Sequence, residues 1–448
     1  MLRQMNRRAF LKASLPIGAG VLVLRDSRLA LGTQANDRLN LAAIGTGGMG
    51  AANIGNLASQ NIVAMCDVDE SRAAKTYAKH PEAKVYVDFR QMLDEMDQQV
   101  DAVAVSTPDH THAVAVADAM RRGKHVYCEK PLTRTVYEAR ALRQMAQRHG
   151  VVTQMGNQGS ASEGLRRAVE LAWAGTVGPV RRAYLWFGGG DGPQERPTDQ
   201  PPVPPDLSWD LWLGPAPYRP YHSAYCPAKW RGWRDFGSGA MGDMGCHTAN
   251  LLFRALRLQQ LWNDRPDDSP PKTAVFQVAG QASEVDAEGY PRWMIVEFDF
   301  PARSELPPVK LTLYTGGRHP SEEVLRGDEM TQWGALLDGA RGAIFTDCPW
   351  NTRYTLLPKA EFQGMQGPER TLPRGQGHHG EWVEACKGRG ETFSSFEIGG
   401  PLTEFIQLAN VAATVGEPFQ YDPQSGQILD HPTAQELLHR DYRDGWTL

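Results

Sequence analysis

The sequence predicts an α/β chain. An N-terminal doubly wound parallel sheet comes first, then an α+β domain with a large, mainly antiparallel sheet. Three observations carry this. Up to about residue 156, short apolar runs alternate with segments of helical period, the pattern of strand–helix–strand units. The first run ends in Gly45-Thr46-Gly47-Gly48-Met49-Gly50, and the second closes on Asp67. Beyond residue 258, runs of period two take over.

The first domain, residues 36–156, justifies itself element by element. The run 39–44 reads as a buried strand, an Ala-rich helix follows, and 62–66 is the second strand. Residues 100–106 (VDAVAVS) and 125–128 are further strands, with a helix at 112–122 closed by Gly123. Thr135 and Glu138 make a capping box for a helix over 135–149, and Gly150 stops it before strand 151–155.

The turn after the first strand is G-x-G-x-x-G, and the acid follows at dinucleotide-fingerprint spacing. Gly45 permits the tight turn, and Gly47 lets the backbone approach a pyrophosphate. Gly48 and Met49 offer N–H groups where the helix begins, and Gly50 brings helix and strand together. Asp67 accepts hydrogen bonds from a ribose diol and repels a 2′-phosphate, so NAD is expected rather than NADP. Arg72 is the nearby cation that would suit NADP.

Residues 1–35 read as a twin-arginine signal: Arg7-Arg8, then Phe10, Leu11 and Lys12, then an apolar stretch broken by Pro16, Gly18 and Gly20. The expectation is export to the periplasm by the twin-arginine machinery, which carries folded proteins with cofactor in place. That stretch is too short and broken to span a bilayer, and no later one is long and apolar enough. Composition is that of a globular protein, 41% hydrophobic with a net charge of −5, and no basic patch points to nucleic acid. The six cysteines form no C-x-x-C pair, so no metal site is expected and the thiols are read as mostly free.

Two loops follow strand ends, where open α/β sheets bind ligands: Ser106-Thr107-Pro108-Asp109-His110-Thr111-His112, and Glu129-Lys130-Pro131. The stretch STPDHTHAVAVADAMRRGKHVYCEKPL resembles the glucose–fructose oxidoreductase / inositol dehydrogenase / MocA family. The resemblance runs over about residues 37–448. It implies that Lys130 reaches the nicotinamide ribose and the reacting hydroxyl, and that Thr107, Pro108, His112 and Glu129 lie along the cofactor. His112 is expected to pack beside the cofactor rather than do chemistry. On residues alone, a surface lysine whose Pro131 ends a strand is the better reading of Lys130.

The second domain, residues 157–448, should hold the substrate. A helix at 163–174 leads to strand 180–187, then to a Pro- and Trp-rich connection over 188–233. Asn157, Trp230, Arg231 and Trp233 are candidate substrate contacts; indole faces stack on sugar rings, though large aromatics equally serve as packing. Gly237-Ser238-Gly239-Ala240-Met241-Gly242-Asp243-Met244-Gly245-Cys246-His247 is a glycine-rich loop entering a helix that runs to Leu258. Asp243 and His247, four apart, would share one face, the carboxylate holding the imidazole's tautomer. Alcohol oxidation needs such a base. The resemblance assigns this pair to the reacting hydroxyl, with Lys130 beside it; the alternative is a capping Asp and a core His. Strands are expected at 273–279, 292–300, 309–314, 343–347 and 353–357. His378 and His379, opening a helix at 381–387, are either substrate contacts or a loop end. A helix is expected to open at Gly400-Pro401, and the tail HRDYRDGWTL resembles exported members of the family.

The expectation is an exported NAD-dependent oxidoreductase acting on a sugar or polyol hydroxyl, with a tightly held, recycled cofactor and a homodimeric or homotetrameric assembly suggested by the resemblance. Two alternatives remain: a redox-neutral NAD-dependent glycoside-cleaving enzyme working by oxidation, elimination, hydration and reduction, and a non-catalytic sugar- or nucleotide-binding protein.

Overall fold

Six parallel strands in the order β3-β2-β1-β4-β5-β6 form the N-terminal sheet: β1 Asn40–Ile44, β2 Asn61–Cys66, β3 Lys84–Tyr86, β4 Ala102–Val105, β5 His125–Glu129 and β6 Thr153–Gly156. The computed structural model describes residues 37–263 and 274–448, so the expected signal, residues 1–35, lies outside the described residues, as does Thr273. Helices cover both faces, which is why β4 is buried at every position and reads AVAV. β3 escaped the sequence reading because only one of its three residues is buried, at the sheet's edge. The helix Val136–His149 carries the capping box, Thr135 Oγ1 accepting from Glu138 N–H and Glu138 returning the bond, and ends on a left-handed Gly150.

The second sheet has nine strands in the order β13-β12-β11-β7-β10-β9-β8-β14-β15: β7 Val180–Phe187, β8 Phe276–Ala282, β9 Met294–Phe300, β10 Val309–Tyr314, β11 Trp333–Gly339, β12 Ala343–Thr346, β13 Thr355–Leu357, β14 Phe419–Asp422 and β15 Gln427–Ile428. Only β7 and β10 pair in parallel; the other ladders are antiparallel. Together the sheets belong to one compact unit, Leu39–Leu448.

The helix Phe396–Val415 joins the layers. Its buried side sets Phe405 against Phe298, ring centroids 4.5 Å apart. It begins at Phe396 rather than at Gly400-Pro401; Pro401 lies inside it. One backbone bond is lost there, and burial of Leu402, Phe405, Ile406 and Leu408 compensates. All six cysteines are free thiols, and no described helix is long and apolar enough to cross a membrane.

Candidate active site

The cofactor end is built by backbone. Gly45 sits at φ +79°, and a Cβ there would lie 2.6 Å from the Ser106 carbonyl oxygen, so only glycine lets the two strand-end loops touch. A Cβ on Gly50 would overlap the Gly45 carbonyl. The helix Met49–Asn56 then starts with no side-chain cap at Gly48, leaving its N-terminus open to an anion. Asp67, just after β2, accepts from Thr46 N–H at 2.7 Å and Gly47 N–H at 3.2 Å through Oδ2. Its Oδ1 accepts from Asp69 N–H at 3.0 Å and retains a lone pair for a ribose hydroxyl. Arg72 packs against Gly47, 3.3 Å from where a Cβ would stand.

These residues line a cavity of about 400 Å³ that continues past Ser106, Thr107, Pro108 and Glu129 to Lys130, Arg231 and Asp243. Thr107 Oγ1 is buried beside it without a hydrogen-bond partner. The open helix terminus, the acid after β2 and this unpaired hydroxyl fit a dinucleotide. Glu129 anchors the far wall: its carboxylate accepts from Asn53 Nδ2 at 3.0 Å, Gln158 Nε2 at 3.1 Å and the Tyr127 hydroxyl at 3.2 Å. His112 bridges the two loops, its ring nitrogens 2.8 Å from the Thr107 carbonyl oxygen and 2.9 Å from that of Pro131. Both nitrogens are engaged, in keeping with a packing role.

Lys130 Nζ donates to Asp243 Oδ1 at 2.7 Å and to the Asp243 carbonyl at 2.6 Å. Arg231 Nε stands 3.0 Å from the same carboxylate oxygen, and its guanidinium lies 4.3 Å over the Trp230 ring. Burial alone would raise the Asp243 carboxyl, but Lys130 and Arg231 outweigh it and hold the group below the usual carboxylate range. Asp109, in the same cavity, is 1% exposed with Oδ2 unpaired, and burial raises its pKa despite Arg231 nearby.

The expected continuous helix is replaced here by a π turn, Met241–Gly245, followed by the short helices Cys246–Thr248 and Asn250–Ala255. π winding takes more residues per turn, so four-residue spacing no longer stacks two side chains. Asp243 therefore turns to Lys130 and Arg231, and the structure gives it no hydrogen bond to His247: the expected orienting contact is corrected to an electrostatic one. His247 is 5% exposed, its Nδ1 has no partner, and it does not line the cavity. Burial, with Lys130 adding to it against the opposing pull of Asp243, drives its pKa down to about 3, so the ring is neutral.

Four expected substrate contacts are corrected. Trp233 is 3% exposed and donates Nε1–H to the Ala224 carbonyl at 2.8 Å. It belongs to an aromatic core with Trp209, Trp212, Tyr225 and Phe236. Asn157 is fully buried, its Oδ1 taken by the hydroxyls of Ser160 and Ser394. His378 Nε2 lies 2.9 Å from the Met155 carbonyl oxygen. His379 Nε2 lies 2.9 Å from Asn53 Oδ1, its ring stacked on Tyr127 at 5.0 Å. These two seat the helix His378–Cys386 behind the first sheet. Trp230 and Arg231 do line the cavity.

The Pro- and Trp-rich connection roofs the cofactor cleft. Ser208 N–H donates to the Val68 carbonyl at 2.8 Å and Glu70 N–H to that of Asp206 at 3.0 Å. His110 ring nitrogens lie 2.9 Å from the Trp212 carbonyl oxygen and 3.1 Å from that of Phe236. The sequence reading missed Asp109 and the cavity-lining Trp446. Asp109 stood inside the STPDHTH loop; Trp446 carried no positional signal.

The family profile described as "Oxidoreductase family, NAD-binding Rossmann fold" matches residues 39–157, and its companion, "Oxidoreductase family, C-terminal alpha/beta domain", matches residues 183–297. The chain belongs to this Gfo/Idh/MocA oxidoreductase family. Among its curated relatives is inositol 2-dehydrogenase 2 of Saccharopolyspora erythraea, 40% identical over 101 residues, which are 22% of this chain and 29% of that one. Another is 2,7-anhydro-N-acetylneuraminate hydratase of Mediterraneibacter gnavus, 30% identical over 143 residues, 31% of this chain and 37% of that one. The aligned stretch thus spans roughly a third of these relatives' length. The fold is shared with levoglucosan dehydrogenase in complex with NADH, at a TM-score of 0.59 and 17% identity, over 86% of this chain and 100% of that one.

Proposed function

We propose that this protein is an NAD-dependent oxidoreductase that moves hydride between a sugar or polyol carbon and the cofactor. What carries the reading is the Lys130–Asp243 pair lining the same cavity as Asp67, at the end of β5 rather than of β2. The bound nicotinamide would supply the hydride acceptor, held by Thr107, Pro108 and Lys130. The chain must then take the hydroxyl's proton. The Lys130 ammonium polarises the hydroxyl oxygen, and Arg231 keeps Asp243 ionised beside it. His247, neutral and with an unpaired Nδ1, lies behind the pair and off the cavity wall, so it takes the proton by relay: Lys130 passes one of its own protons inward as it accepts the hydroxyl's. The tryptophan roof limits water.

Inositol 2-dehydrogenase among the relatives supports a polyol substrate. The hydratase relative favours a second reading, a redox-neutral reaction in which the oxidised sugar eliminates a group, adds water and is re-reduced. The twin-arginine pattern of residues 1–35 supports export with NAD already seated and regenerated in place. The family resemblance supports a homo-oligomer. The test is reduction of bound NAD by a panel of polyols, anhydrosugars and glycosides, followed by near-ultraviolet absorbance and product analysis. Net NADH formation with a polyol supports the dehydrogenase; turnover of a glycoside or anhydrosugar without net NADH supports the second reading. No turnover in any wild-type assay, with biological activity surviving His247→Ala, would refute both.

A further inference from the structure

The C-terminal tail, which the proposed chemistry leaves unused, runs back across the molecule to the cofactor cavity. Tyr442 donates its hydroxyl to Glu138 Oε1 at 2.7 Å. Arg443 pairs with Asp210 Oδ1 at 2.6 Å and also donates to the Asp210 and Gly214 carbonyls. Its own N–H reaches the Pro215 carbonyl at 3.2 Å. Asp210, Gly214 and Pro215 belong to the segment that roofs the cleft, so the tail is fastened to the roof. The turn that follows brings Trp446 N–H to 3.3 Å from the Arg443 carbonyl oxygen. The half-buried indole of Trp446 lands against residues that follow β3. Its ring centroid lies 6.0 Å from that of Phe89, the Arg90 guanidinium covers it at 4.4 Å, and it lines the same cavity as Asp67.

Position along the sheet says what this end receives. In a doubly wound sheet the acid after the second strand takes the adenosine ribose, so the base lies beyond it, toward the third strand. Val87, Asp88 and Phe89 are there, and Trp446 is the wall that a distant part of the chain adds. Lys130 and Asp243 mark the other end.

We propose that Trp446 is an adenine-binding residue and that the C-terminal tail, latched to the roof by Arg443, forms the outer wall of the adenosine site and slows release of NAD. The proposal rests on the reading that NAD occupies this cavity. An indole offers a flat apolar face to a purine, and Arg90, held by Asp88 at 2.6 Å, packs on the ring and helps fix it in place. The tail therefore has to detach before the adenosine half can leave.

The test uses the full chain, stripped of nucleotide and reloaded. Three quantities are measured: the NAD release rate, the affinity for ADP-ribose and the affinity for nicotinamide mononucleotide. Trp446→Ala is expected to speed release and weaken ADP-ribose by ~10-fold, as loss of one base–aromatic stack would, with nicotinamide mononucleotide unaffected. Trp446→Phe should recover most of the loss, and Arg443→Ala, which frees the tail without touching the ring, should also speed release. Release at the wild-type rate from Trp446→Ala, or equal weakening of both half-ligands, would overturn the proposal while leaving NAD binding intact. A wild-type chain that binds no NAD would instead overturn the functional reading, and this proposal with it.

Discussion

Lys130 and Asp243 show how much chemistry two side chains can locate. Asp243 is half-buried, a setting that disfavours charge, yet two cations keep it ionised. Replacing Lys130 by Met removes the ammonium that faces the hydroxyl. We expect kcat to fall by roughly 10²–10³, the scale of a lost proton-transfer group, with NAD affinity nearly unchanged. Near-normal turnover would remove Lys130 from the mechanism. Asp67→Ala should do the opposite. It removes a ribose acceptor and the carboxylate that braces Thr46 and Gly47, so NAD affinity should drop by about ten-fold, with NADP losing less. Titration of both nucleotides against the variant checks this. At this scale the glycines, Asp67, Lys130 and Asp243 were legible because backbone approach, charge and loop position constrain them in sequence. Trp233, Asn157, His378 and His379 were misread because a polar or aromatic side chain looks the same in sequence whether it faces a ligand or a neighbouring carbonyl.

Elements were legible where local physics sets them. The helix Val136–His149 is fixed by its two ends: the Thr135–Glu138 box and the left-handed Gly150. Thr135→Ala leaves the Glu138 N–H without its side-chain acceptor and should lower stability by ~1 kcal/mol in chemical denaturation; no measurable change would mean water replaces the bond. β7 and β10 matched their expected ranges because both alternate or run apolar with turn residues at their ends. β11 and β14 were not foreseen: Trp333–Gly339 begins and ends near glycines that read as loop, and Phe419–Asp422 is too short to show a period. The π turn at Met241–Gly245 could not be read either. One wide turn is a tertiary compromise, here one that turns Asp243 toward Lys130 and Arg231 and leaves His247 inside.

Across the whole molecule, burial of neutral imidazoles sets the response to acid. Burial lowers His110, His247 and His378 to about 3, and His379 to about 4, against an ordinary value of 6.5. The unfolded chain therefore takes up protons first. Stability is fully present above about pH 6.5 and is lost as pH falls toward about 3, by up to ~2 kcal/mol per ring at pH 5. Asp109, Asp191 and Glu404 oppose this, burial raising their carboxyls. Melting temperature should fall steadily from pH 7 to pH 5; a flat or rising profile would show that these rings are solvated.

The two sheets, the roof and the tail together line one cavity, and NAD held in that cavity is what the proposed chemistry requires. The direct measurement is to denature the purified, untreated protein and identify what it releases by mass and near-ultraviolet absorbance. NAD or NADH is expected at close to one per chain. A protein that releases none and fails to bind added NAD would contradict it.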